Sequence, residues 1–105
     1  MKFEVRLTRE ANADILRNMI WWAESHSASQ ALDWEEAIRN QLAGLSEMPA
    51  RFGFAPENDK VEQELHQMMV GLGAKPTYRA IYAIKNSVVF ILAVRRGAQD
   101  EYLPA

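Results

Sequence analysis

The sequence predicts an α+β fold in the order β-α-α-β-β-β, a helical hairpin packed on one face of an antiparallel sheet. Three observations carry that prediction. Tyr78 to Gln99 reads as two apolar strands joined by a tight turn at Lys85-Asn86-Ser87. Two stretches before it, roughly 9–25 and 29–47, repeat apolar residues at helical spacing. Lys2 to Leu7 alternates polar and apolar residues, as a half-buried strand does.

In that first strand Phe3, Val5 and Leu7 share one face and Lys2, Glu4 and Arg6 the other. A slip of one residue would expose the whole apolar set, so the register is firm. Thr8 stands where an N-cap is wanted, with Glu10 in the first turn to suit the helix dipole. Ala11, Ile15, Met19 and Trp22 form the apolar stripe of the first helix, and Leu16, Ile20 and Ala23 widen it. Of the paired tryptophans, Trp22 is read as core and Trp21 as the exposed one, an anchor for a partner.

Ser25 to Ser29 is a polar break, in which His26 is a solvated linker residue and Ser27 or Ser29 caps the next helix. Ala31, Trp34, Ile38, Leu42 and Leu45 make the stripe of the second helix, which stops before Pro49. A short link between two helices makes an antiparallel hairpin. Pro49 to Asp59 is a loop, with Phe52 and Phe54 tucking it down. Residues 65–72 fit a strand better than a helix, because the last hairpin needs a neighbour. In the third strand Tyr78, Ala80, Tyr82 and Ile84 face one way and Arg79, Ile81 and Ala83 the other. Val88 to Val94 is apolar on both faces, as a covered central strand is. The first strand belongs at an edge or beside the last.

A length of 105 residues fits one domain, residues 1–105. Without cysteine there is no disulfide, thiolate metal site or Cys nucleophile, which suits a reducing cytoplasm. Neither a metal nor another cofactor is expected, since His26 and His66 are the only histidines and lie far apart. No apolar run approaches the ~20 residues that span a membrane, and MKFEVRLTRE is not a secretory signal. Residues 1–70 carry seven Lys/Arg against twelve Asp/Glu, and residues 71–105 five against two. A net charge of −2 makes the chain a poor non-specific binder of nucleic acid.

The C-terminal residues Tyr78-Arg79-Ala80-Ile81-Tyr82, the run Val88 to Val94, and Arg95-Arg96-Gly97-Ala98-Gln99-Asp100 resemble the closing motif of the RelE/ParE toxin superfamily. Thr8, Glu10, Ala11, Asp14 and Ile15 match its N-terminal pattern, and Met48-Pro49 matches the end of its helical hairpin. The resemblance covers nearly the whole chain. It implies a small cytoplasmic toxin of a bacterial type II toxin–antitoxin system, held inactive by a cognate antitoxin laid over the hairpin and the sheet edge. ParE-like members are thought to poison DNA gyrase. RelE-like members cut messenger RNA on the ribosome, using cationic side chains on the second and third strands and after the fourth.

Metal-free RNA cleavage needs a base, cations around the phosphorane-like transition state, and an acid. The resemblance places His66, Arg79, Arg95, Arg96 and Tyr102 in those roles if the chain is a nuclease, with Arg51 and Lys60 adding charge from the loop. Three of them have a plainer reading. Arg79 can pair with a carboxylate, His66 can be a surface strand residue, and Tyr102 can lie in a frayed tail. Gly97 and Gln99 stand where arginines commonly recur in the family, so the set is thin for a ribonuclease. The favoured expectation is a ParE-like toxin that contacts protein through Trp21, Arg79, Arg95 and Arg96. The alternatives are a RelE-like endoribonuclease acting on ribosome-bound mRNA, and a non-toxic member that only binds antitoxin.

Overall fold

The computed structural model describes residues 2–97 and 101–103. Gln99 and Asp100 lie outside the described residues. Four strands and two helices follow the predicted order: β1 (Glu4–Leu7), α1 (Arg9–Ser25), α2 (Ala28–Ala43), β2 (His66–Val70), β3 (Tyr78–Lys85) and β4 (Val88–Arg96). In space the strands run β1-β4-β3-β2. The last three form the antiparallel meander, and β1 pairs parallel to β4, so the sheet is mixed. β1 is thus both an edge strand and the neighbour of the last strand. A parallel neighbour needs a long crossover, and the helical hairpin supplies it.

Thr8 and Ser27 cap the two helices, their hydroxyls accepting from the amides of Ala11 and Gln30 at 3.2 and 3.1 Å. α2 ends at Ala43, earlier than the apolar stripe implied, and Leu45 continues that stripe from a short 3₁₀ turn, Gly44–Ser46. β2 also stops short, at Val70. There Gln41 of α2 grips both backbone groups of Gly71, at 2.9 and 2.8 Å, and its amide takes the place of a further strand partner. The loop 49–59 contains two 3₁₀ turns, Pro49–Arg51 and Pro56–Lys60.

The main core lies between hairpin and sheet. Ile15, Trp34, Ile38 and Leu42 of the helices meet Tyr78, Ala80, Tyr82, Val89, Ile91 and Val94. A second, smaller cluster covers the other face: Ala55, Leu65, Ile81, Ala93 and Tyr102. A bulge in β4 reconciles the two, since Ile81 faces Ala93 whereas the next residue, Tyr82, faces Ile91. The strand therefore feeds both cores, which is why its sequence is apolar throughout. The β3–β4 turn is carried by Asn86 at φ 57°, a left-handed conformation that asparagine tolerates.

Candidate partner-binding surface

Of the cationic residues picked out in the sequence, Arg79 is buried and Arg95 half-buried, whereas Arg51, Lys60 and Arg96 are exposed. Arg79 is 3% exposed and Glu57 2%. Their side chains form a two-pronged ion pair, Nη2 to Oε2 at 2.7 Å and Nη1 to Oε1 at 2.9 Å. Arg79 also donates to Gln67 Oε1 at 3.0 Å and, through Nε, to the Gly97 carbonyl at 2.9 Å. Gly97 has φ 68°, which glycine adopts without strain and arginine would not. That conformation accounts for a glycine at this position. The Arg79 guanidinium beside Glu57 holds its carboxyl down to about 2, against the opposing effect of burial, and the Tyr102 amide at 2.9 Å adds to the lowering.

Arg95 is Arg79's register partner on β4. Its Nη1 donates to Asp14 Oδ1 at 2.9 Å, its Nη2 pairs with Glu10, and its guanidinium lies 5.6 Å from the centre of the Tyr102 ring. Asp14 is 1% exposed and also accepts from the Val94 amide at 2.9 Å and from Arg17. The geometry explains why. β1 pairs with β4 only as far as Ile91. Beyond that point no strand among the described residues pairs with the outer edge of β4, and the start of α1 serves it instead. Thr8 donates from its amide and its hydroxyl to the Ile91 carbonyl at 3.0 and 2.9 Å, and Asp14 takes the Val94 amide.

His66 is 8% exposed, so it is not a surface strand residue. Its ring stacks on Tyr82 at 5.3 Å, meets Phe54 at 4.9 Å, and approaches the Phe52 carbonyl through Nδ1 at 3.0 Å. It faces the helices, opposite Tyr82, whereas Arg79 points to the other face of the sheet. Tyr82, pushed up to about 12 by burial, donates to the Pro49 carbonyl at 2.5 Å. Tyr102 is 6% exposed and packs into the second core, so the tail is not frayed there, and burial raises its phenol. Arg51 folds back on the Glu47 and Met48 carbonyls and over Phe52, and Lys60 pairs with Glu101. The five residues assigned to nuclease roles therefore do not converge on one open cleft.

The exposed features lie elsewhere. Trp21 is half-buried and not free, because the Arg96 guanidinium lies 4.1 Å above its ring and Trp22 meets it edge-on at 5.5 Å. Trp22 is half-buried too, packed on the main core with its indole N–H donating to the Tyr78 hydroxyl at 3.2 Å. His26 is exposed, yet its ring rests against both tryptophans. On the outer side of the hairpin is an apolar groove of about 300 Å³, lined by Leu16, Met19, Ile20, Ala23, Ala28, Ala31 and Leu32. Leu16 and Ile20 widen the stripe of α1 away from the core, which is why they line this groove instead.

Sequence reasoning missed Glu57, Asp14 and Glu10 as the partners of the arginines. The acidic residues were visible, but their partners lie 22, 81 and 85 positions away, and nothing local sets such pairs.

The domain thus has Arg79 and Arg95 engaged with carboxylates of its own and an apolar groove on its hairpin. The chain belongs to the ParE toxin family of type II toxin–antitoxin systems, parDE, whose model matches residues 5–101. A chain of the chromosomal ParDE toxin–antitoxin system from P. aeruginosa shares the fold, with TM-score 0.75 and 18% identity over 91% of this chain and 97% of that one. No protein of curated function matches in sequence. Among the described residues no helix is long and apolar enough to cross a membrane.

Proposed function

We propose that this toxin acts by binding a protein target and not by cutting RNA, and that a cognate antitoxin neutralises it in the cytoplasm. The observation that carries this reading is the enclosure of Arg79 with Glu57. A guanidinium already held by a carboxylate, an amide side chain and a carbonyl has no fork left to clamp a phosphate. Arg95 is committed to Asp14 and Glu10, and His66 sits on the opposite face of the sheet from Arg79. The separation of His66 from these cations supports protein binding over cleavage of a scissile phosphate. DNA gyrase is the target that the family resemblance implies.

Partner contact is assigned to the exposed features, the hairpin groove for the antitoxin and the Trp21–Arg96 pair as a further contact. The test is induced expression in a bacterium, following growth, DNA breaks and mRNA integrity together. Growth arrest with gyrase-dependent breaks and intact mRNA is expected. Site-specific mRNA cuts, lost in Arg96→Ala, would overturn the reading in favour of a ribosome-dependent nuclease.

A further inference from the structure

Three sides of α1 carry three different loads. Ala11, Ile15 and Trp22 face the core, and Leu16, Ile20 and Ala23 line the groove. The third side is the run Glu10, Asp14, Arg17 and Trp21, whose spacing of four, three and four aligns it along the helix. The end of β4 lies against that side. Arg95 reaches Glu10 and Asp14, and the Arg96 guanidinium stands 4.1 Å above the Trp21 ring.

The cations of this side differ in what they present to solvent. Arg95 is only 14% exposed and is taken up by the two carboxylates. Arg17 touches the buried Asp14 while its side chain stays 61% exposed. Arg96 is exposed as well. Stacking uses the face of a guanidinium, and its N–H donors lie around the rim, where carboxylates are received. Trp21 is held by Arg96 above it and by Trp22 edge-on at 5.5 Å. A ring and a guanidinium already fixed in place lose little freedom when a partner arrives. Tryptophan and arginine are also the residue types in which binding energy concentrates.

The chemistry favours a protein segment over nucleic acid. Phosphate affinity grows with the number of cations along a track, and here two exposed arginines flank one ring. Glu24, exposed one turn beyond Trp21, and the half-exposed Glu10 would repel a phosphate backbone at either end.

We infer that this side of α1 is where the toxin holds its target, and that it takes a protein segment whose carboxylates meet Arg17 and Arg96 beside the Trp21 ring. This rests on the reading above that the toxin binds a protein target, and it adds the site and the chemistry. Because the groove lies on another side of the helix, target binding and antitoxin binding are separable by substitution.

The test is induced expression of the wild type beside Arg17→Glu with Arg96→Glu and Arg17→Lys with Arg96→Lys. A matched thermal midpoint and retained binding of the co-expressed neutralising partner confirm each fold. Where the double reversal loosens the fold through Asp14, Arg96→Glu alone carries the comparison. The Glu variants are expected to lose growth arrest and the Lys variant to keep most of it. With purified DNA gyrase, the concentration that halves supercoiling is expected to rise about tenfold in the Glu variants, and inhibition by the wild type to weaken with salt. A single-stranded oligonucleotide titrated into the isotope-labelled chain is expected to leave the Trp21 indole resonance in place. Equal growth arrest by the wild type and Glu variants would overturn this inference alone, and so would equal loss in the Lys variant. Oligonucleotide shifts at Trp21 would overturn it in favour of a phosphate site. If the wild type arrests growth but spares gyrase, gyrase falls as the target and the growth comparison decides the inference. A wild-type chain that arrests no growth would overturn the reading above and this inference with it.

Discussion

At the scale of single residues the arginines decide the character of this protein. Arg79 and Glu57 form a buried pair, and such a pair is costly to break and cheap to replace as a unit. Removing one member leaves the other charged and unpaired in the interior, which costs about 3–5 kcal/mol. Glu57→Ala and Arg79→Ala are each expected to lower stability by that order in urea denaturation. The double variant is expected to lose far less than the sum of the two. Additive losses would mean that the two side chains are energetically independent despite their 2.7 Å contact. The Trp34 indole N–H and Arg95 Nε are buried without partners among the described residues. Each such buried donor costs about 1–3 kcal/mol.

At the scale of elements, α1 is held to the sheet by its first turns. Asp14 closes the strand edge that β1 leaves open and neutralises Arg95. Asp14→Ala orphans the Val94 amide and removes one of the two carboxylates on the half-buried Arg95, and is expected to cost about 2–4 kcal/mol. Amide exchange at Val94 and along the end of β4 should accelerate more than exchange in β3. Uniform acceleration would place the effect in global stability instead of at this edge. This element also shows what the sequence made legible. The Thr8–Asp14 pattern, the alternation in β1, both helical stripes and the 85–87 turn were readable, because helices, half-buried strands and tight turns are specified by near neighbours. That Thr8 and Asp14 serve the edge of β4, some 80 positions on, was not, because only the tertiary crossover brings them there. The same limit hid Glu57, and it made Trp21 look free when Arg96 covers it. For His66, alternation in a short strand could not tell an open edge from one covered by the Phe52–Phe54 loop.

At the scale of the whole molecule, Glu57 joins three parts of the chain that are distant in sequence. It holds Arg79 on β3, takes the amide of Tyr102 in the tail, and comes itself from the turn Pro56–Lys60. Its carboxyl is depressed from 4.5 to about 2, so the folded state favours the ionised form. The stability this contributes is complete above the unfolded value near 4.5 and fades as the pH falls towards 2. A depression of this size is worth about 3 kcal/mol. Between pH 7 and pH 5 the wild-type chain should therefore show little change from this group, and below pH 4.5 its stability should decline. Protonation weakens the carboxylate's hold on the Tyr102 amide, and with it the seat of Tyr102 in the second core. Near-ultraviolet circular dichroism and Tyr102 amide exchange are expected to report the loss of the tail before β3 and β4 open. A Glu57→Gln variant keeps an acceptor for the amide but has no charge to lose. It should start less stable at neutral pH and show a flatter profile between pH 4.5 and pH 2. An acid transition in that variant as steep as in the wild type would assign the pH dependence to other carboxylates.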